Sequence, residues 1–126
     1  IIKSLDKQIE KFKLMANNSN KIIISNLEKA LETHKTVYIL THFPPWKEAT
    51  RDEGTMLEKF WLPYNTNINL GKYIEKLMKD KKKKKVIVLS GHTHTQVDIT
   101  VSRNIECRVA SASYSALHKK KERIYI

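Results

Sequence analysis

A chain with one cysteine cannot close an internal disulfide, so Cys107, set in an alternating strand-like segment, reads as a small core residue rather than a redox or metal group. No apolar stretch approaches the ~20 residues that span a bilayer, which excludes a helical membrane protein. No signal-peptide pattern opens the chain either, because Ile1-Ile2 is followed at once by charged residues. These absences predict a cytoplasmic protein with no membrane partner. Internal repeats are absent, and with 126 residues there is no room for a second domain.

Acidic residues are also scarce: 13 stand against 24 lysines and arginines, for a formal net charge of +11. Such an excess raises a nucleic-acid-binding module, or half of a nuclease, as an alternative function. The distribution favours a solvated face instead. Lys79 and lysines 81–85 form one block, the chain's only low-complexity segment, at the end of an expected helix, where cations complement the helix dipole. Lys119, Lys120, Lys121 and Arg123 form a second block, with His118 beside them, and neither block has the interleaved aromatic residues that stack on single strands.

The apolar pattern predicts alternating helices and strands. Ile2, Leu5, Ile9 and Phe12 recur at helical spacing, and Asn17-Asn18-Ser19-Asn20 is expected to break that helix and cap a second one over residues 21–33. On the second helix Ile23, Leu27, Ala30, Leu31 and His34 share a stripe, with His34 at the helix end near the surface. Val37-Tyr38-Ile39-Leu40 and Val86-Ile87-Val88-Leu89 are continuous rather than alternating runs, the signature of strands buried on both faces of an α/β sheet. Between them, Asn67 or Asn69 caps a core-packing helix carrying Leu70, Tyr73, Ile74, Leu77 and Met78. Residues 46–67, with Arg51, Asp52, Glu53, Gly54, Phe60, Trp61 and Pro63, form a long irregular connection. It is a candidate for substrate selection, or equally a surface excursion tucking Phe60 and Trp61 into the core. Beyond residue 96 the period changes to two: Val97, Ile99 and Val101 alternate with polar residues, as do Ile105, Cys107 and Val109. Ser102-Arg103-Asn104 turns between them, so an antiparallel hairpin is expected at the edge of a mixed sheet. Asp98 and Glu106 lie on its polar faces, Tyr114 follows as a candidate pocket residue by chain order alone, and residues 123–126 are a candidate last edge strand.

Each buried-strand run ends in histidine: Thr41-His42-Phe43-Pro44-Pro45 after the first and Gly91-His92-Thr93-His94 after the second. Pro44-Pro45 forbids helix and ladder pairing alike, so the chain must leave the sheet directly after His42. In α/β sheets ligands sit at the carboxyl ends of strands, and neutral imidazole is the commonest metal ligand. Three imidazoles at two adjacent strand ends make most of a half-site for metal. If the second segment is locally extended, His92 and His94 project to one side and reach neighbouring ions.

The two phrases resemble the later motifs of the calcineurin-like metallophosphoesterase superfamily, a lone His closing a strand and then a Gly-His-x-His in the next strand-to-loop turn. The resemblance covers most of residues 35–115, through Trp61-Leu62-Pro63-Tyr64 and the helix after it. It implies that His42 and His92 ligate one metal and His94 the other, in a two-metal phosphoesterase that hydrolyses phosphate mono- or diesters with a metal-activated water. Imidazole suits Mn, Fe, Zn or Ni alike, so residue type does not select the ions. The superfamily's earlier motifs, Asp-x-His, Gly-Asp and Gly-Asn-His, occur nowhere in this sequence. The expected fold is therefore α/β, the C-terminal half of a metallophosphoesterase-type β-sandwich flanked by helices. Residues 1–126 form a partial domain whose catalytic carboxylate and histidine, and the rest of the metal ligands, belong to an N-terminal half. Its partners are then that half and a phosphoester substrate, and the fragment alone is expected to be inactive. A non-catalytic scaffold that has lost half its ligands is the remaining alternative.

Overall fold

The computed structural model describes residues 2–52, 55–56 and 65–113. Among these, a long helix α1 (Ile2–Thr33) leads into strand β1 (Thr36–Leu40), and a 3₁₀ turn (Lys47–Ala49) follows. A minimal hairpin, β2 (Arg51–Asp52) with β3 (Thr55–Met56), precedes helix α2 (Ile68–Met78). Strands β4 (Lys85–Ser90), β5 (Val97–Ser102) and β6 (Ile105–Val109) complete the chain's described part. The fold is α/β. Four strands make one mixed sheet in the order β1-β4-β6-β5, with β1, β4 and β6 parallel and β5 an antiparallel edge. The expected hairpin is present, turning at Arg103-Asn104, with a register irregularity between Thr100 and Ser102. No helix among the described residues is long and apolar enough to cross a membrane.

The pleat sorts the strand side chains by parity, and one parity builds the core. Ile39, Val86, Val88, Ile105, Cys107 and Val109 are buried against Leu27 and Leu31 of α1 and Leu70, Ile74 and Met78 of α2. Each of the larger of these contributes about 1.5–3 kcal/mol by leaving water. Only β4 shows the burial on both faces that its continuous run implies, for Ile87 is buried as well. β1 departs from that expectation: Leu40 is 78% exposed, because β1 is an edge strand and its outward face meets no helix among the described residues. On that outward face Glu106 is engaged by two cations. It pairs with Lys85 at 2.6 Å and Arg108 at 2.9 Å, and hydrogen bonds from Lys85 first and Arg108 second hold its carboxyl below the usual range. Tyr73, expected in the core, is exposed on α2.

The expected helix break at residues 17–20 does not occur, and α1 runs unbroken for 32 residues, about 48 Å. Local propensity here yields to tertiary hydrogen bonding. The asparagines face α2 rather than capping a helix: Asn17 Oδ1 accepts from Asn69 Nδ2 at 3.0 Å. Asn20 is fully buried and exchanges two amide hydrogen bonds with Asn67, donating at 3.0 Å and accepting at 2.7 Å. Asn67 is also the N-cap of α2, its Oδ1 accepting from Leu70 N at 3.3 Å, which settles the choice between Asn67 and Asn69.

Asn20→Ala would strand the Asn67 amide in a buried place, and we expect it to destabilise the fold by about 1–3 kcal/mol in urea unfolding. A loss below a few tenths of a kcal/mol would show the pair to be solvated. Burial pushes the Cys107 thiol up from 9.0 to about 11. A raised folded value means that the native state keeps its proton where the unfolded chain has lost it. Stability is then unaffected below pH 9 and declines from there to about 11. Replacing Cys107 with Ala should flatten that decline in urea midpoints taken across the window, and an unchanged slope would exclude the thiol as its source.

Candidate metal centre at the ends of two parallel strands

The pairing of β1 with β4 sets Leu40 opposite Leu89. The ladder then continues past the strands, with Thr41 N donating to Leu89 O at 3.0 Å and Gly91 N to His42 O at 3.2 Å. His42 is thus held opposite Gly91, with His92 one residue further. The two rings meet: His92 Nδ1 and His42 Nε2 lie 3.0 Å apart, with ring centroids at 4.8 Å. Phe43 packs edge-on against both, at 5.0 Å from His42 and 4.4 Å from His92.

The far side of His92 is also held. Its Nε2 lies 2.8 Å from Asn65 Oδ1, an oxygen that only accepts, so Nε2 carries the proton and the Nδ1 lone pair faces His42. Histidines that bind metals characteristically donate their second ring N–H in this way, which fixes tautomer and ring angle. Asn65 belongs to the 46–67 connection and carries no signal of this role in the sequence, where a lone asparagine before a helix reads as a turn residue. The distance between the two ring nitrogens matches a coordination edge, which is roughly 2.9 to 3.4 Å for metal–nitrogen bonds of about 2.0–2.1 Å.

Locally the Gly91-His92-Thr93-His94 turn is not extended, contrary to expectation. His92 has φ 69° and His94 φ 59°, both in the left-handed region. Thr93 N donates to Gly91 O at 2.8 Å, closing a three-residue turn centred on His92, a rare and strained geometry. Two such residues store about 1–3 kcal/mol each, the kind of strain that collects at functional sites. Thr93 Oγ1 is buried with no hydrogen-bond partner among the described residues. Strand alternation therefore does not aim His92 and His94 at one point. His94 is exposed and its carbonyl accepts from Ala112 N at 3.0 Å. Among the described residues no group of three or more His, Cys, Asp or Glu side chains is arranged to hold a metal. The structure brings His42 and His92 together and does not gather all three histidines into one cluster.

Of the other residues considered, His34 is exposed at the end of α1, its Nδ1 beside Thr33 Oγ1 and Ala30 O. Asp98 is exposed on β5. Glu53, Gly54, Phe60, Trp61, Pro63, Tyr64, Tyr114, His118, Lys119, Lys120, Lys121 and residues 123–126 lie outside the described residues.

The exit of the chain after His42 follows the expectation for Pro44-Pro45, and both prolines and Trp46 are buried. Pro44 O accepts from Asn67 N at 3.0 Å, and Trp46 Nε1 donates to Glu75 at 2.7 Å. Gly71 is what lets this segment lie on α2: a Cβ there would strike the Pro45 carbonyl oxygen and stand 2.9 Å from Trp46 Nε1. That role is invisible in the sequence, where a helical glycine has no assigned contact.

Comparison with protein-family models, with curated proteins and with solved structures finds no match for this chain. In an exposed helix Gly71→Ala would stabilise by about 1 kcal/mol. Here we expect net destabilisation, by about 1–3 kcal/mol, because the Pro45-Trp46 segment must shift. Urea unfolding measures the sign, and a more stable variant would remove the close approach.

Proposed function

We propose that this chain carries part of the metal site of a calcineurin-like phosphoesterase, with His42 and His92 as ligands to one ion and His94 as a ligand to a second. One observation carries the reading: His92 Nδ1 faces His42 Nε2 at 3.0 Å while Asn65 anchors the opposite nitrogen of His92. The pair stands at the carboxyl ends of two adjacent parallel strands, where α/β proteins place ligands. The positive φ angles and the orphaned Thr93 hydroxyl support it, since both are features that a bound group would explain.

When bound, paired divalent cations supply an activated water and stabilise the charge that develops in an in-line displacement at phosphorus. The chain's own contribution is to position. With His42 in its Nδ1–H tautomer, both facing nitrogens would have lone pairs to offer an ion, and Phe43 packs edge-on against both rings. Two neutral imidazoles leave a divalent charge uncompensated, so the carboxylates of the complete site are proposed to come from sequence outside these residues. Substrates would then be phosphate mono- or diesters, and the 126 residues by themselves would not turn them over.

Calorimetric titration of the chain with Mn²⁺ or Zn²⁺ should show one ion or fewer per molecule. His42→Ala and His92→Ala should each abolish binding, Asn65→Ala should weaken it about 10–100-fold, and His34→Ala should leave it unchanged. Binding that survives His92→Ala would defeat the ligand assignment. Two tightly held ions with aryl phosphate hydrolysis by the isolated chain would defeat the partial-site reading.

A further inference from the structure

Away from the histidines, the end of α2 and the β5–β6 turn enclose an open cleft of about 670 Å³. Lys76, Lys79, Lys82 and Arg103 line it, and Glu75 is the one acid there among the described residues. That carboxylate is engaged by Trp46 Nε1, and none of the four cations has an ion-pair partner among the described residues. Lys76, Lys79 and Lys82 recur at intervals of three through the last turn of α2 and the turn after it, where Lys81 N donates to Met78 O. They therefore share one side. Lys82 also lines a neighbouring cleft with Lys81, Lys83 and Lys84, where Glu28, Glu32 and Asp80 offset most of the positive charge, so the uncompensated cations are those of the first cleft.

What separates this arrangement from a merely solvated lysine block is that its two walls are tied together. Asn104 Nδ2 donates to Met78 O and to Lys81 O, both at 3.1 Å, and Asn104 O accepts from Val86 N at 2.9 Å. Ser102 Oγ in turn donates to Asn104 Oδ1 at 3.0 Å. The turn that presents Arg103 is thereby fixed to the helix end that presents the lysines. The backbone positions of the four cations around one cleft are thereby fixed, and their side chains reach solvent, where an anion can approach them.

We propose that this cleft binds the phosphodiester backbone of a double-stranded nucleic acid without regard to sequence. A duplex offers a rigid line of charge, one per ~1.7 Å of axis, which suits a preformed row of cations. Single strands are disfavoured because no aromatic ring among the described residues lines the cleft for bases to stack on. An anionic membrane surface is disfavoured because the cleft's apolar residues, Met78 and Ile105, are buried and cannot insert. The site is separate from the proposed metal centre and stands or falls independently of it.

The test is fluorescence anisotropy of a labelled ~20-bp duplex with the full chain, titrated at salt concentrations from about 50 to 200 mM. Four phosphate contacts predict a log–log salt slope of about −3.6, an affinity loss of about 10²-fold across that range. Joint Lys76→Gln, Lys79→Gln, Lys82→Gln and Arg103→Gln should weaken binding at least tenfold and flatten the slope by about 3. Replacing the exposed Lys3, Lys7, Lys11 and Lys29 of α1 with Gln removes as much charge and should change affinity by less than about threefold. Equal losses in the two variants would reduce the cleft to diffuse attraction and overturn the proposal. So would absence of binding at the lowest salt, or tighter binding to phosphatidylserine vesicles than to the duplex.

Discussion

Asn67 is the residue on which the rest of the structure hangs. Its backbone N–H takes the carbonyl of Pro44, its side-chain oxygen serves both Leu70 N and Asn20, and its amide donates back to Asn20. One residue, through its backbone N–H and its side-chain amide, thus joins α1, the segment leaving β1 and the start of α2. These bonds are worth more here than on a surface, because Asn20 is fully buried and an unmade bond would leave a desolvated amide. With the three elements joined, Leu27 and Leu31 meet Leu70 and Ile74 over one face of the sheet.

From that joint the geometry at the histidines follows. Pro44 lies two residues after His42, and Gly71 admits the Pro45 carbonyl against α2, so the chain beyond β1 has one path. The parallel register then brings the β4 end alongside, and Asn65, two residues before the joint, reaches His92. The strain at His92 and His94 is borne by a turn whose flanks are anchored on both sides: Gly91 N on His42 O, and Ala112 N on His94 O. A rigid frame on three sides is what allows two left-handed residues in a span of three to persist.

Much of this frame is legible in the residues. The apolar runs at 37–40 and 86–89 announce adjacent strands, the period-two pattern after residue 96 announces the hairpin, and Leu70, Ile74 and Met78 announce the buried side of α2. The departures from local pattern have a common origin. The local preference of Asn17 and Asn20 for caps, and the helical period at Tyr73, carry no information about what stands opposite each, which is what decides their places. Leu40 looked buried because its run is continuous, but continuity does not say whether a second layer covers the outer face.

By itself, then, the sequence determined the kinds of elements, their order and the positions of the histidines at strand ends, because periodicity and the proline pair act through local sterics and burial. Tertiary structure alone decided that His42 meets His92 while the three histidines form no single cluster, that Asn65 orients the pair, and that Gly91-His92-Thr93-His94 turns rather than extends. Those outcomes depend on strand register and on hydrogen bonds between residues far apart in the chain. Such contacts leave no period and no spacing to read.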